Sequence, residues 1–386
     1  MARRYVSIKE VAARAGVSFQ TASKVLNGGN VRVSAETAAR IVAVADSLGY
    51  RPNTVARSLV QQSTATIGLI AGDVTDGALS QFAVAAERTA RRHGHAVLVG
   101  NLSESGDDGA AVIQMLIDRR VDGVLAAAPQ LEGDLQVADM LRRYVPAVSL
   151  SHVPGGGVPL VGSNHREGAK AATRHLIRLG HTSIGTVTGP FRRHVVRSRL
   201  HGYEDALREA GLEPSEDLAV EADWTPGTAA AATRLLLERD PAMTAIFVHS
   251  DTMAIGVLSA LASAGRPVPA SVAVVSCDDM PFAEYLVPSL SSLRVPFAET
   301  AERAVELLLR SIAGDPPPQT PVLLPVDLIV RDSCGGQRGP ALTAIPSETG
   351  PPRPAPFRQG RRPSELRPPA TGTPSAAEAR SEQEDS

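Results

Sequence analysis

Between residues 7 and 50, apolar side chains recur every three or four positions in three short bursts divided by glycine. Ile8, Val11, Ala12 and Ala15 fall at i, i+3, i+4 and i+7, one face of a helix. Ser7 and Glu10 form a capping box ahead of it, and Gly16 ends it. Ser18 is placed to cap a second helix with Ala22, Val25 and Leu26 inward and Phe19, Gln20, Ser23 and Lys24 outward. Asn27-Gly28-Gly29-Asn30 reads as a loop. Ser34 then caps a third helix with Ala38, Ile41, Val42, Ala45 and Leu48 inward, and Gly49 stops it. Two short helices around a glycine turn, followed by a third, predict a helix-turn-helix head.

From residue 63 the rhythm changes to aliphatic runs alternating with helical periods. Strands are expected at Thr66–Ile70, Ala96–Val99, Gly123–Ala126, Ala147–Leu150, Ser183–Val187, Ala245–Val248, Val272–Ser276 and Asp327–Val330. Helices are expected at Leu79–His93, Ala110–Arg119, Gly168–Leu179, Arg199–Ala210, Thr228–Glu238, Thr252–Ala264 and Ala298–Ser311. Such alternation implies parallel sheets with helices on both faces, and about eight strands suit two lobes better than one. The last stretch, 335–386, holds ten of the 29 prolines and too few apolar residues to offset chain entropy, so a disordered tail is expected. The domains are therefore a head at 1–52, a hinge at 53–62, a two-lobed α/β body at 63–334 and that tail.

Composition sharpens this picture. Aromatics are only 3% of the chain, so the core must be built from Ala, Val, Leu and Ile, as in a helix-covered parallel sheet. The net charge of −2 is unevenly spread: residues 1–62 carry +6 and residues 63–334 about −9. A basic head on an acidic body suits a nucleic-acid reader. Two cysteines, Cys277 and Cys334, make neither a disulfide framework nor a metal cluster. No run approaches the roughly 18 apolar residues of a membrane span, and no secretory segment opens the chain. A cytoplasmic protein with no membrane partner is expected, not an exported solute-binding protein. No Gly-x-Ser-x-Gly elbow, phosphate-cradling glycine loop or His-Glu-x-x-His stands in the body, so neither enzyme chemistry nor a cofactor is expected. The nine histidines are scattered, with surface positions as the default expectation.

The head supplies the chemistry of base reading. In a helix-turn-helix the N-terminal residues of the second helix meet base edges in the major groove. Gln20 can bond adenine bidentately, Lys24 can donate to guanine, and the Phe19 ring can pack on a thymine methyl. Ser18, Ser23, Asn27 and Thr37 are short donors suited to phosphates, which position a head without specifying sequence.

The run from Ser7 to Asn27, SIKEVAARAGVSFQTASKVLN, resembles the head of the lac repressor (LacI) family. Val33-Ser34-x-x-Thr37 and Gly49-Tyr50-Arg51-Pro52-Asn53-x-x-Ala56-Arg57-x-Leu59 continue the resemblance at the family's spacing, and it extends to about residue 332. Ala22 stands where a larger Val is usual, and Lys24 where Arg is common. The resemblance adds Tyr50 and Asn53 to the phosphate contacts. It implies a hinge helix, capped by Asn53, that places Ala56 and Leu59 in the minor groove, Leu59 as a wedge between central base pairs. It also implies a homodimer on a near-palindromic double-stranded operator, and a body like a type I periplasmic binding protein, with an effector between two lobes.

For that effector, a small molecule and by analogy a sugar, the resemblance implies Arg199 and Asp278 as polar ligands. It sets Trp224 and Phe297 as aromatic faces, with Ser151 and Ser250 at two further cleft positions. Four cleft stretches depart from the family's pattern: Asp76-Gly77-Ala78-Leu79, Ser151-His152, Ser250-Asp251 and Ser276-Cys277. Effector binding is expected to alter the angle between lobes and so the spacing of the hinges, giving a transcription regulator that represses.

Overall fold

The computed structural model describes residues 6–26, 33–51, 63–72, 77–103, 106, 108–150 and 157–336. The expectations for Asn27, Ser151, the hinge with Asn53, Ala56 and Leu59, and the tail beyond Gly336 lie outside the described residues.

The head is three helices, α1 (Ile8–Ala15), α2 (Phe19–Leu26) and α3 (Ala35–Ser47). Each starts where a hydroxyl can stand in for the missing turn. The Ser7 hydroxyl accepts from Glu10 N–H while the Glu10 carboxylate accepts from Ser7 N–H at 2.7 Å. Ser18 Oγ accepts from Thr21 N–H at 3.1 Å, and Ser34 Oγ from Thr37 N–H at 3.2 Å. Gly16, at φ +66°, supplies the left-handed turn that lets α2 fold back across α1. Val11, Ala12, Ala15, Ala22, Ile41 and Ala45 close the core. Val42, expected inward, is instead 45% exposed. It sits about 100° round the helix from Ile41, and the buried seam Ile41–Ala45 is too narrow to include it.

The first lobe of the body is a parallel sheet in the order β2 (Ala96–Asn101), β1 (Thr66–Ala71), β3 (Gly123–Ala127), β4 (Ala147–Ser149). A parallel pair, β5 (Val161–Ser163) with β11 (Val322–Leu324), continues beyond β4 through the Ser149–Leu160 bridge. Helices Gly77–Arg92 and Phe297–Ile312 cover one face with Phe82, Ala86, Val305 and Leu308; Gly109–Asp118 and Leu135–Tyr144 cover the other with Ile113, Leu116 and Leu141.

The second lobe has the order β12 (Asp327–Ile329), β10 (Ser291–Arg294), β9 (Ala273–Asp278), β8 (Ala245–Val248), β6 (Ile184–Thr188), β7 (Ala219–Glu221). Helices His165–Arg178 and His194–Glu209 pack on one face, and Pro226–Arg239 and Asp251–Ser263 on the other. The chain passes between lobes three times: after β5, after β10 and after β11.

Two features correct the sequence reading. Twelve strands lie among the described residues instead of eight; β5, β7, β10 and β11 are the additions. The sheets are not wholly parallel, because β12 runs antiparallel to β10. Among the described residues it is the last strand of the body and lies at the edge of the second sheet, where only β10 pairs with it. Among the described residues no helix is long and apolar enough to cross a membrane, and Cys277 and Cys334 are both buried free thiols.

One glycine fixes how helix His194–Glu209 packs on helix His165–Arg178. A Cβ on Gly202, in helix His194–Glu209, would strike the Arg166 carbonyl and lie 3.0 Å from Lys170 N. Only a bare Cα lets the two helices meet this closely. Gly202→Ala is expected to cost about 1–3 kcal/mol by overpacking, read as a lowered unfolding midpoint in urea.

Candidate DNA-reading edge and inter-lobe site

On α2 the apolar residues Ala22, Val25 and Leu26 face the head's core, which turns the opposite edge to solvent. Phe19 is 49% exposed, and Gln20 and Lys24 are exposed beside it. Gln20 and Lys24 stand four residues apart, on one face of the helix. Ser23 and Thr37 are half-buried, and Tyr50 packs partly on the head's core. Ser18 spends its hydroxyl acceptor on the Thr21 N–H, which fixes it at the head of α2. The edge is thus an aromatic ring, an amide and a cation on a rigid, capped helix.

In the body, the C-terminal ends of the strands of both lobes converge. Arg193 Nη1 donates to the Pro129 carbonyl, and Glu132 Oε2 accepts from His194 N–H at 2.7 Å. Gln81 Nε2 lies 3.1 Å from Met280 Sδ. Each of these contacts joins one lobe to the other. Between them lies a cavity of about 330 Å³ lined by Gln130, Glu132, Arg192 and Arg193.

Helix His194–Glu209 buries Val196, Arg199, Tyr203 and Ala206 along one stripe. The stripe's period calls for an apolar side chain at position 199, yet Arg199 stands there at 4% exposure. Its Nη1 donates to the His249 carbonyl, and its Nη2 lies 3.4 Å from both Asp278 Oδ1 and His165 Nδ1. Arg199 and Asp278 therefore do meet, as a buried ion pair at the ends of β8 and β9. Asp278 and Asp279 hold φ of 115° and 53°, and Trp224 holds φ of 76°. Such non-glycine strain, about 1–3 kcal/mol each, gathers at binding sites. Asp279 is committed elsewhere, to Arg294 at 2.8 Å and Arg331 at 2.6 Å.

The other expected ligands are less directly engaged. Trp224 follows β7 and lays its indole on the Gly189 backbone, at the end of β6. Phe297 opens helix Phe297–Ile312 and is half-buried against the second lobe. Ser250 is buried and caps helix Asp251–Ser263, accepting from Met253 N–H at 3.2 Å.

The sequence reading missed three residues here. His249 is fully buried, and His165 joins the Arg199 cluster, which corrects the expectation of surface histidines. Burial and the nearby Arg199 cation hold both imidazoles well below the usual histidine range. Asp251, fully buried, accepts from the hydroxyls of Ser276 and Ser292 and, at 2.6 Å, from Met280 N–H. The available signal was positional: His249, Ser250 and Asp251 follow a strand end, where open α/β sheets bind ligands.

Desolvation pushes the Asp251 carboxyl up to about 6. The folded protein thus keeps this proton while the unfolded chain has already lost it. The stabilisation is fully present below pH ~4 and is lost as pH rises through ~6, about 3 kcal/mol in all. Denaturation midpoints across pH 4–7 are expected to carry this slope, and Asp251→Asn to flatten it.

Comparison with known proteins places this geometry. Residues 7–53 match the family model of bacterial regulatory proteins, lacI family, and residues 173–334 match that of the periplasmic binding protein-like domain. The HTH-type transcriptional regulator AscG of Escherichia coli is 33% identical over 330 residues, spanning 84% of this chain and 97% of its own. The lac repressor dimer bound to operator and the anti-inducer ONPF superposes with a TM-score of 0.80 at 29% identity, covering 86% of this chain and 99% of that one. The complex of the transcriptional regulator CelR with cellobiose gives 0.66 at 30% identity, covering 85% and 99%.

Proposed function

The chain belongs to the LacI family of bacterial regulatory proteins, and on that premise we propose how it reads DNA and what controls the reading. It is a DNA-binding transcriptional regulator, not an enzyme. Two chains pair through their bodies and present two heads to a near-palindromic operator; a lac repressor dimer bound to operator is the precedent. Phe19, Gln20 and Lys24 meet base edges. Ser18, Ser23, Asn27, Thr37, Tyr50 and Asn53 hold phosphates, and Ala56 and Leu59 enter the minor groove from the hinge. The protein works in the cytoplasm. The observation that carries this reading is the solvent-facing edge Phe19-Gln20-Lys24 on a helix whose opposite face is locked into the head.

The body is the sensor. Arg199 and Asp278 offer a directional donor and acceptor, with Trp224 and Phe297 as apolar faces and Ser250 and, by resemblance, Ser151 as further polar groups, a set suited to a polyhydroxy metabolite. Cellobiose on CelR is a precedent of that class. Ligand between the lobes and operator under the heads are then coupled reciprocally through one two-state body.

Selection of bound sites from random duplexes tests the first half. The enriched motif is expected to be two-fold symmetric. Gln20→Ala is expected to lose about 1–3 kcal/mol, or roughly five- to 150-fold, on that motif and to relax preference at one base pair per half-site. An asymmetric motif would sink the dimer reading; a Gln20→Ala protein with unchanged specificity would remove Gln20 from the reading edge.

A further inference from the structure

The cleft between the lobes is short of negative charge. Of the three carboxylates at the ends of β8 and β9, two are consumed. Asp279 pairs with Arg294 and Arg331, and Asp251 serves Ser276, Ser292 and Met280 N–H. Asp278 pairs with Arg199 and Glu132 accepts from His194 N–H, while Arg192 and Arg193 stand in the cavity wall, so three guanidinium groups share these two carboxylates. Two imidazoles add to the donors. His165 touches Arg199, and the His249 ring lies tilted at 53° to that of Phe247, with centroids 5.2 Å apart.

Among the described residues, two of these groups have buried atoms with no partner: Arg199 Nε, and both ring nitrogens of His249, a residue with no exposed surface. Buried polar atoms left so are rare in folded proteins and call for a partner, which a bound ligand can supply. Burial, with the Arg199 cation beside them, holds both imidazoles well below the usual histidine range.

We propose that the effector carries an acidic group, a carboxylate or a phosphate on a sugar-sized polyhydroxy compound, received by Arg199 and His249. The proposal rests on the reading of the cleft as the effector site and narrows it. Arg199 Nε–H and one His249 N–H donate to the anionic oxygens, and the second His249 nitrogen accepts a neighbouring hydroxyl. Asp278 accepts another hydroxyl of the same compound. Arg192 and Arg193 supply the long-range attraction at the cleft's mouth.

The test is calorimetric titration of the full chain, at matched ionic strength, with glucose, galactose, their uronates and glucose 6-phosphate, and with inorganic phosphate alone. At least one acidic sugar is expected to bind about tenfold or more tighter than its neutral parent. Uronate against sugar phosphate separates the two sources of the acid. His249→Phe is expected to raise the melting temperature of the ligand-free protein, because it replaces two unpartnered nitrogens by carbon, and to weaken acid binding about tenfold. His249→Gln, which keeps a donor and an acceptor, is expected to retain part of the affinity and covers a failure of the phenylalanine variant to fold. Neutral sugars that bind as tightly as their acids, or no acidic sugar bound below about 20 mM, overturn the proposal, as does undiminished acid binding by folded His249→Phe. Operator release by a neutral sugar would leave the regulator reading standing while this one falls. Acid binding that survives Arg199→Ala would move the ligand out of the cleft and end both.

Discussion

Raising salt from 50 to 200 mM is expected to weaken operator binding by about a thousandfold. Each head and hinge carries a surplus of six positive charges within 62 residues, and a dimer brings two. If half of these meet phosphates, about six counterions leave the duplex, and the plot of log affinity against log salt falls with a slope near −5. The body contributes nothing to this, since its own balance is acidic, about −9. Base contacts of an amide or an aromatic ring, as proposed for Gln20 and Phe19, release no counterions, so the ratio of specific to non-specific affinity is expected to change far less than either affinity. A fluorescence anisotropy titration of operator and scrambled duplex at four salt concentrations reads both. A slope flatter than about −2 would mean that the basic surplus does not face the backbone. The docking of α2 would then have to be abandoned.

The head was nearly all written in local sequence, because its limits are set by hydroxyl caps and glycines acting within four residues. Ser7 with Glu10, Ser18 and Ser34 each do in space what their spacing announces. Val42 was misjudged because a three-helix core this small buries only a thin seam. In the body, the strands of four to six aliphatic residues were legible, as were the three-residue β4 and β12, whereas β5, β7 and β11, also three residues long, were not. β10 escaped for another reason. Its Ser291-Ser292-Leu293-Arg294 looks polar, yet Ser291 is buried by bonding Arg331 and Ser333, and Ser292 by bonding Asp251. Helix Leu135–Tyr144 was absent from the sequence reading although Asp134 caps it through Val137 N–H. The site divides in the same way. Arg199 and Asp278 were named through resemblance, and the fold brings them together; Arg199 also breaks an apolar stripe. His165, His249 and Asp251 have no local signature, since what makes them unusual is the burial that three other segments impose.

Arg199→Ala is expected to abolish the response to whatever compound releases the operator. The guanidinium is almost fully enclosed and holds the His249 carbonyl, Asp278 and His165 at once. Truncation removes the donor and leaves Asp278 buried without its cation, so the compound's affinity falls by about 2–5 kcal/mol, roughly thirtyfold to several thousandfold. Lysine is no substitute. Its ammonium cannot span three acceptors in one plane, so Arg199→Lys is expected to behave almost as badly as alanine. The heads do not touch this residue. Operator affinity without the compound is therefore expected to stay within about threefold of the parent, and a cooperative thermal transition checks that the body still folds. Release of operator by the variant at the parent's concentration of compound would show that the ligand sits elsewhere. Loss of operator binding from a folded variant would instead make Arg199 part of the linkage that sets the heads, because a residue serving only the ligand has no means of reaching the DNA when the cleft is empty.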